Sequence, residues 1–249
     1  MDDLLSLSHA AVDILWEDLG LGAVPTPFEI RSVGTTMDER AAIRRDVWLD
    51  LTERGLARRG RLEPEVEDRL SVLVRYNSAI GVFGVLDDEQ VLRARVSGNG
   101  QFAVMAVQSP RKMHIEVVES HRLIASILGL LPATKPFPGR LVTVLDQDPR
   151  SSGYLHPVTA PTPDDELARR MLASKRERAG YFTAYGLDRR GRVVQSPELA
   201  WTDTVKGRFV SRSRTANDGK QFTTHEPAMH AIMVRGLREL VAWVHADDT

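Results

Sequence analysis

Leu4, Leu7, Ala11, Leu15 and Leu19 recur at the spacing of one helical face, and Gly20 and Gly22 close that segment. Residues 25–33, punctuated by Pro25 and Pro27, predict a short extended strand. Thr36-Met-Asp-Glu39 is a capping box, in which the hydroxyl and the carboxylate each take up an orphan backbone N–H. The helix it starts carries Ile43, Val47, Trp48 and Leu51 on one side and stops at Gly55. Pro64 suits the first position of another helix, with Val66, Leu70, Leu73 and Val74 facing inward. From Ala79 the period changes to two. Residues 80–86, 91–96, 101–108 and 112–118 predict four strands with short polar or Gly/Pro breaks, hence antiparallel pairing. Ser120 then caps a helix with Leu123, Ile124, Ile127, Leu128 and Leu131 along one side, ended by Pro132.

Residues 132–162 are rich in Pro, Gly, Ser and Thr and read as a linker, interrupted by one strand-like run at 140–145. The second half repeats the plan. Thr162-Pro163 opens a helix with acids in its first turn, and residues 181–187, 193–194, 199–204, 207–213 and 220–224 read as strands. Asp188-Arg-Arg-Gly191 is a hairpin turn. Pro227 opens a last helix with Met233, Leu237, Leu240, Val241 and Val244 on one side. Gly100-Gln-Phe102 and Gly207-Arg-Phe209 open corresponding strands. Leu123, Ile124, Leu128 and Leu131 fall on Ile232, Met233, Leu237 and Leu240 at nearly the same offset. The expectation is one α+β domain, 1–249, with a shared antiparallel sheet and pseudo-two-fold duplicated halves. The halves would be 1–131 and 163–249, joined by 132–162. Two ordinary meander-plus-helix units are the alternative.

Composition narrows the chemistry. Across 249 residues, Lys+Arg 33 against Asp+Glu 34 leaves a net charge of −1, with no global footprint for nucleic acid. The apolar share, 42%, suits a packed core. With no cysteine, disulfides, thiolate metal sites and thiol catalysis are excluded. The opening Met1-Asp2-Asp3 is acidic where a secretory signal would be basic, and the apolar stretch 124–131 falls far short of the ~20 residues of a membrane helix. A cytoplasmic location and no membrane insertion are expected.

The candidate motifs fail one by one. Gly98-Asn-Gly100-Gln-Phe-Ala103 spells a dinucleotide fingerprint but runs into a strand, where the pyrophosphate would need a helix N-terminus. His225 and His230 stand five apart with Pro227 between them, which does not put two imidazoles on one helical face. Asp146-Gln-Asp148 and Asp87-Asp88-Glu89 read as solvated turns rather than cation sites. No catalytic, cofactor-binding or metal-binding residue is assigned. Arg44, Arg45, Arg54, Arg58, Arg59 and Arg61 surround a winged-helix-like order of elements, so a DNA-binding regulator is the alternative function. Glu63, Glu65, Glu67 and Asp68 at the start of the would-be recognition helix argue against it. Arg208, Arg212 and Arg214 alternate on one strand beside Arg189, Arg190 and Arg192, and read as a solvated sheet face, with an RNA or acidic-partner surface as the alternative.

Particular residues carry a resemblance. They are Leu4-Leu-Ser-Leu-Ser-His-Ala-Ala-Val-Asp-Ile-Leu-Trp16, Pro27-Phe-Glu-Ile-Arg-Ser-Val-Gly-Thr-Thr36, Arg54-Gly-Leu56 and Gly60-Arg-Leu62 in the first half. In the second half they are Arg178-Ala-Gly-Tyr-Phe182, Asp188-Arg-Arg-Gly-Arg192, Trp201-Thr-Asp-Thr204 and Gly207-Arg-Phe209. Together they resemble the EspG family of actinobacterial type VII (ESX) secretion-associated proteins, over nearly the whole chain. The resemblance implies a central antiparallel sheet with two flanking helical bundles. It also implies a non-enzymatic cytosolic chaperone that binds the aggregation-prone helical tip of PE–PPE heterodimers, with no nucleic acid as partner; homo-oligomerisation is left open. In the family the second-to-third-strand loop and the C-terminal helical bundle contact the client. That loop corresponds here to Leu86, Asp87, Asp88, Glu89 and Gln90, with Val85 and Val91 beside it, and it is short.

Overall fold

The first leucines pair instead of coiling. In the computed structural model, which describes residues 4–87, 90–145 and 162–246, Leu4–Ser8 forms a strand, β1, and the helix α1 begins only at His9 (His9–Asp18). The spacing of Leu4, Leu5 and Leu7 serves both periods. Pairing wins because it buries Leu5 and Leu7 while Ser8 caps α1 through a 3.1 Å bond from the Ala11 N–H. The chain continues through α2 (Met37–Glu53), a small hairpin β2 (Ala57–Arg58) and β3 (Arg61–Leu62), and α3 (Pro64–Val72). A meander follows: β4 (Ser78–Val85), β5 (Val91–Gly98), β6 (Ala103–Gln108) and β7 (Lys112–Val118), then α4 (Leu123–Leu128). The second half comprises β8 (Val142–Leu145), α5 (Pro163–Leu172), β9 (Arg176–Leu187), β10 (Val193–Gln195), β11 (Leu199–Thr204), β12 (Gly207–Thr215), β13 (Gln221–Pro227) and α6 (His230–Ala246).

All strands but β2 and β3 form one antiparallel sheet in the order β1-β7-β6-β5-β4-β9-β11-β12-β13-β8, with β10 beside β9. The halves meet at β4 and β9, paired from Ala79↔Tyr185 to Val85↔Ala179. On either side the same connectivity recurs: a meander runs outward, and the strand that precedes it in sequence closes the far edge.

Strand alternation sorts the core into layers. Ile80, Val82, Phe182, Ala184 and Trp201 face α4 and α6, against Ile127, Leu128, Met233, Leu237, Leu240 and Val244. The opposite face is covered at its two ends. Leu7, Ile14, Leu15, Leu70, Leu73, Met113 and Ile115 pack at one end, and Phe137, Val142, Leu167, Met171 and Phe209 at the other.

The strand expected at 25–33 is absent. This stretch crosses the sheet face as a strap, and side chains standing on the sheet satisfy its backbone. Arg93 Nη1 donates to the Pro27 carbonyl (3.2 Å) and Arg95 Nη1 to the Thr26 carbonyl (2.9 Å). Gln108 brackets Glu29, accepting from its N–H (2.9 Å) and donating to its carbonyl (2.8 Å). Buried Arg95 lies between the rings of Tyr76 and Tyr185, 4.7 and 4.4 Å from their centroids. These side-chain bonds take the place of a strand ladder at Thr26, Pro27 and Glu29.

Three boundaries also differ. Ser120 makes no capping bond; a 3₁₀ turn at Ser120–Arg122 precedes α4. Pro227 ends β13 opposite Phe209, and α6 starts at His230. Of the expected linker, 132–145 is packed: Phe137 is buried, its N–H bonds the Arg208 carbonyl at 2.8 Å, and β8 pairs with β13. Residues 146–161 lie outside the described residues.

Candidate interaction surface

The loop singled out by the sequence closes the β4–β5 hairpin at the centre of the sheet. Leu86 N–H bonds the Gln90 carbonyl at 2.7 Å and Gln90 N–H the Asp87 carbonyl at 3.0 Å. Asp88 and Glu89 lie outside the described residues. Val85 and Val91 form the last cross-strand pair, each 43% exposed. By alternation they share a face with Phe83, Arg93 and Tyr181. The rings of Phe83 and Tyr181 lie 5.6 Å apart, and the Arg93 guanidinium sits 4.8 Å from the Phe83 centroid while pairing with Glu29 at 2.8 Å. The hairpin end therefore presents an apolar lip over an aromatic step, rimmed by charge.

Leu86 and Asp87 turn the other way. Leu86 packs against the core under α4 and α6. Asp87 accepts a forked pair of bonds from Arg178, Nε to Oδ1 at 2.9 Å and Nη2 to Oδ2 at 2.8 Å. Arg178 stands opposite Asp203 in the β9–β11 register, and Asp203 stands opposite Arg208 in β11–β12. Asp203 is fully buried; Arg208 bonds both its oxygens, Nε to Oδ1 at 2.5 Å and Nη2 to Oδ2 at 2.8 Å, and also reaches the Pro132 carbonyl at 2.9 Å. Arg178 Nη1 adds a longer contact to Asp203 Oδ2, 3.3 Å. The result is a cross-strand row of alternating charge, Asp87–Arg178–Asp203–Arg208. Its hydrogen bond to Asp87, and secondarily that to Asp203, raises Arg178 above the ordinary guanidinium value against the opposing effect of burial.

The resemblance pointed to Asp87, but not to its partner. One signal was available. In β11 the inward positions are Leu199, Trp201 and Asp203, and a carboxylate at an inward position requires a cation beside it.

The basic face expected from Arg208, Arg212 and Arg214 does not exist as a solvated strip. Arg208 is buried, with its guanidinium 5.4 Å from the Trp201 ring. Arg212 pairs with Glu239, and Arg214 lies over the Phe222 ring at 5.7 Å. Around the winged-helix-like segment, Arg44 pairs with Glu17 and Asp18, and Arg54 with Asp50. Helix α3 turns Val66 and Leu70 into the core, and Glu65 and Glu67 stand exposed in its first turn. The near-miss motifs resolve as turns and strands. Gly100 takes a positive φ of 92° in the β5–β6 turn. His225 is buried on β13, bonded to Ser211 Oγ at 2.8 Å, while His230 opens α6. Among the described residues no cluster of His, Asp or Glu is arranged to hold a metal ion, and no helix is long and apolar enough to cross a membrane.

This architecture has a counterpart among solved structures. Its similarity is to Mycobacterium tuberculosis EspG5, solved in complex with the PE25–PPE41 dimer, at a TM-score of 0.70 and 14% identity over 96% of this chain and 95% of that one. The EspG family model matches residues 8–239, and the chain belongs to the EspG family. No curated protein sequence matches it.

Proposed function

We propose that this protein is a cytosolic, non-enzymatic chaperone that binds a PE–PPE-type helical heterodimer destined for type VII secretion. The reading rests on family membership, on the fold shared with EspG5, and on one local observation. At the hairpin end, Val85 and Val91 stand in solvent above Phe83 and Tyr181, while the same loop is tied down through Asp87. Such a lip suits an apolar helical tip that would otherwise self-associate, and its charged rim suits orientation of the partner. The lip is small. A stable interface buries about 800 Å² per partner, so the client must extend onto neighbouring elements.

Co-expression with candidate PE–PPE pairs followed by size-exclusion chromatography tests the reading. A co-eluting 1:1:1 complex is the expected result. Val85→Asp together with Val91→Asp should abolish co-elution while leaving the melting temperature near that of the parent. A chain that holds no PE–PPE pair, or a double variant that binds as tightly as the parent, refutes the assignment.

A further inference from the structure

We propose that the sheet face around Gly81, Arg93, Arg95 and Gln108 is a receptor for an extended segment of Pro–aromatic–acidic chemistry. The chain fills it with its own Pro27-Phe28-Glu29, and an outside segment of that chemistry displaces them. The proposal goes beyond the chaperone reading and does not depend on it. Gly81 on β4 is the seat: a Cβ there would lie 3.3 Å from Pro27 Cδ and 3.3 Å from Tyr185 Cε2, so the missing side chain makes room for the proline ring. Arg95 and Arg93 on β5 take the carbonyls of Thr26 and Pro27, and Gln108 on β6 grips the N–H and carbonyl of Glu29. The Glu29 carboxylate pairs with Arg93 at 2.8 Å, and Phe28 is buried in the adjoining core. The backbone contacts suit any extended segment, while the carboxylate pair selects an acid.

The closed strap carries a cost. Arg95 is 1% exposed, and no carboxylate pairs with it among the described residues. It holds the Thr26 carbonyl, Ser97 Oγ at 3.1 Å and the two tyrosine rings, and burial pushes its guanidinium below the ordinary arginine value. Closure thus keeps a charge from water without an opposite charge in return, a penalty that opening relieves. Thr26, Glu29, Arg31 and Ser32 stand exposed, and residues 25–33 join no strand of the sheet. What holds residues 26–29 to the sheet is therefore a set of side-chain contacts that a second segment of the same chemistry can take over.

The test uses the full chain and a fluorescein-labelled synthetic peptide of residues 24–33 as probe, read by anisotropy. In the parent, the Glu29 amide should exchange hydrogen faster than the amides of central β5; exchange of both only at the rate of global unfolding overturns the displaceable strap. Glu29→Lys sets a cation against Arg93 and should raise peptide affinity about tenfold, the gain when the open, competent state becomes about ten times more populated. Glu29→Gln is the milder variant, with a smaller gain in the same direction. In the Glu29→Lys background, Arg95→Met and Gln108→Ala should each remove the gain. Gln108 is half-buried, so Gln108→Ala decides the matter where Arg95→Met fails to fold. A probe peptide that itself carries Glu29→Lys should bind more weakly to every chain. No peptide binding to either Glu29 variant overturns the receptor, and so does binding that survives Gln108→Ala or ignores the charge of the peptide.

Discussion

The seam between the halves tolerates no side chain at Gly180. A Cβ there would lie 2.2 Å from the Phe83 carbonyl oxygen, 2.7 Å from Gly84 Cα and 2.8 Å from Trp201 Cζ2. Gly84 is its cross-strand partner, and the buried Trp201 ring covers both. Two of those three contacts are backbone atoms of β4, which is paired along both sides and cannot shift without disturbing two ladders. Overpacking a core ordinarily costs about 1–3 kcal/mol, and a backbone collision of this size puts Gly180→Ala at the top of that range, about 3 kcal/mol. At about 2–4 °C per kcal/mol for a chain of this length, the melting temperature should drop by about 6–12 °C. Gly98→Ala is the matched control: it also lies in a strand, but its added methyl would meet the Leu123 side chain at 3.4 Å and Ala103 Cβ at 3.5 Å, ordinary contacts. Urea denaturation followed by circular dichroism should separate the two variants by about 2 kcal/mol or more. Equal midpoints would refute the account of the seam.

The charge row and the helix caps give further expectations. Asp203→Ala strands the buried Arg208 guanidinium and should destabilise by about 3–5 kcal/mol, far more than Arg178→Met; thermal melts of the two variants compare them directly. The capping carboxylates are depressed, Glu39 chiefly by its hydrogen bond from the Thr35 hydroxyl and Asp165 chiefly by the Thr162 backbone N–H. A depressed carboxylate contributes stability that is present above its unfolded value and lost as pH falls through its folded value. Acidification below the ordinary carboxylate range should therefore lower the melting temperature, and the double change Glu39→Gln, Asp165→Asn should flatten that slope. A slope unaltered by the double change would remove the caps as its cause.

Much of this fold was legible because its signals are local. Thr36 with Glu39, and Pro64 at the head of α3, each start their helix where the sequence predicts. Period two places the meander strands within a few residues of their observed ends. The failures involve distant partners. The strap at 25–33 is held by Arg93, Arg95 and Gln108, and a proline-broken apolar run looks the same whether its bonds come from a ladder or from such side chains. For β1 the same leucines fit either period, and only β7, a hundred residues on, decides. Strand order recurs on either side of β4 and β9, but it does not establish the duplicated halves expected from the sequence. At the hairpin, the family resemblance pointed to Val85, Asp87 and Val91, which stand exposed. The Arg178–Asp203–Arg208 row needed three strands in register, and nothing local announces a register.

The strand that carries the hairpin tip is bonded to a neighbour on each side over nearly its whole length. A cargo held at that tip would rest on a strand braced from both sides.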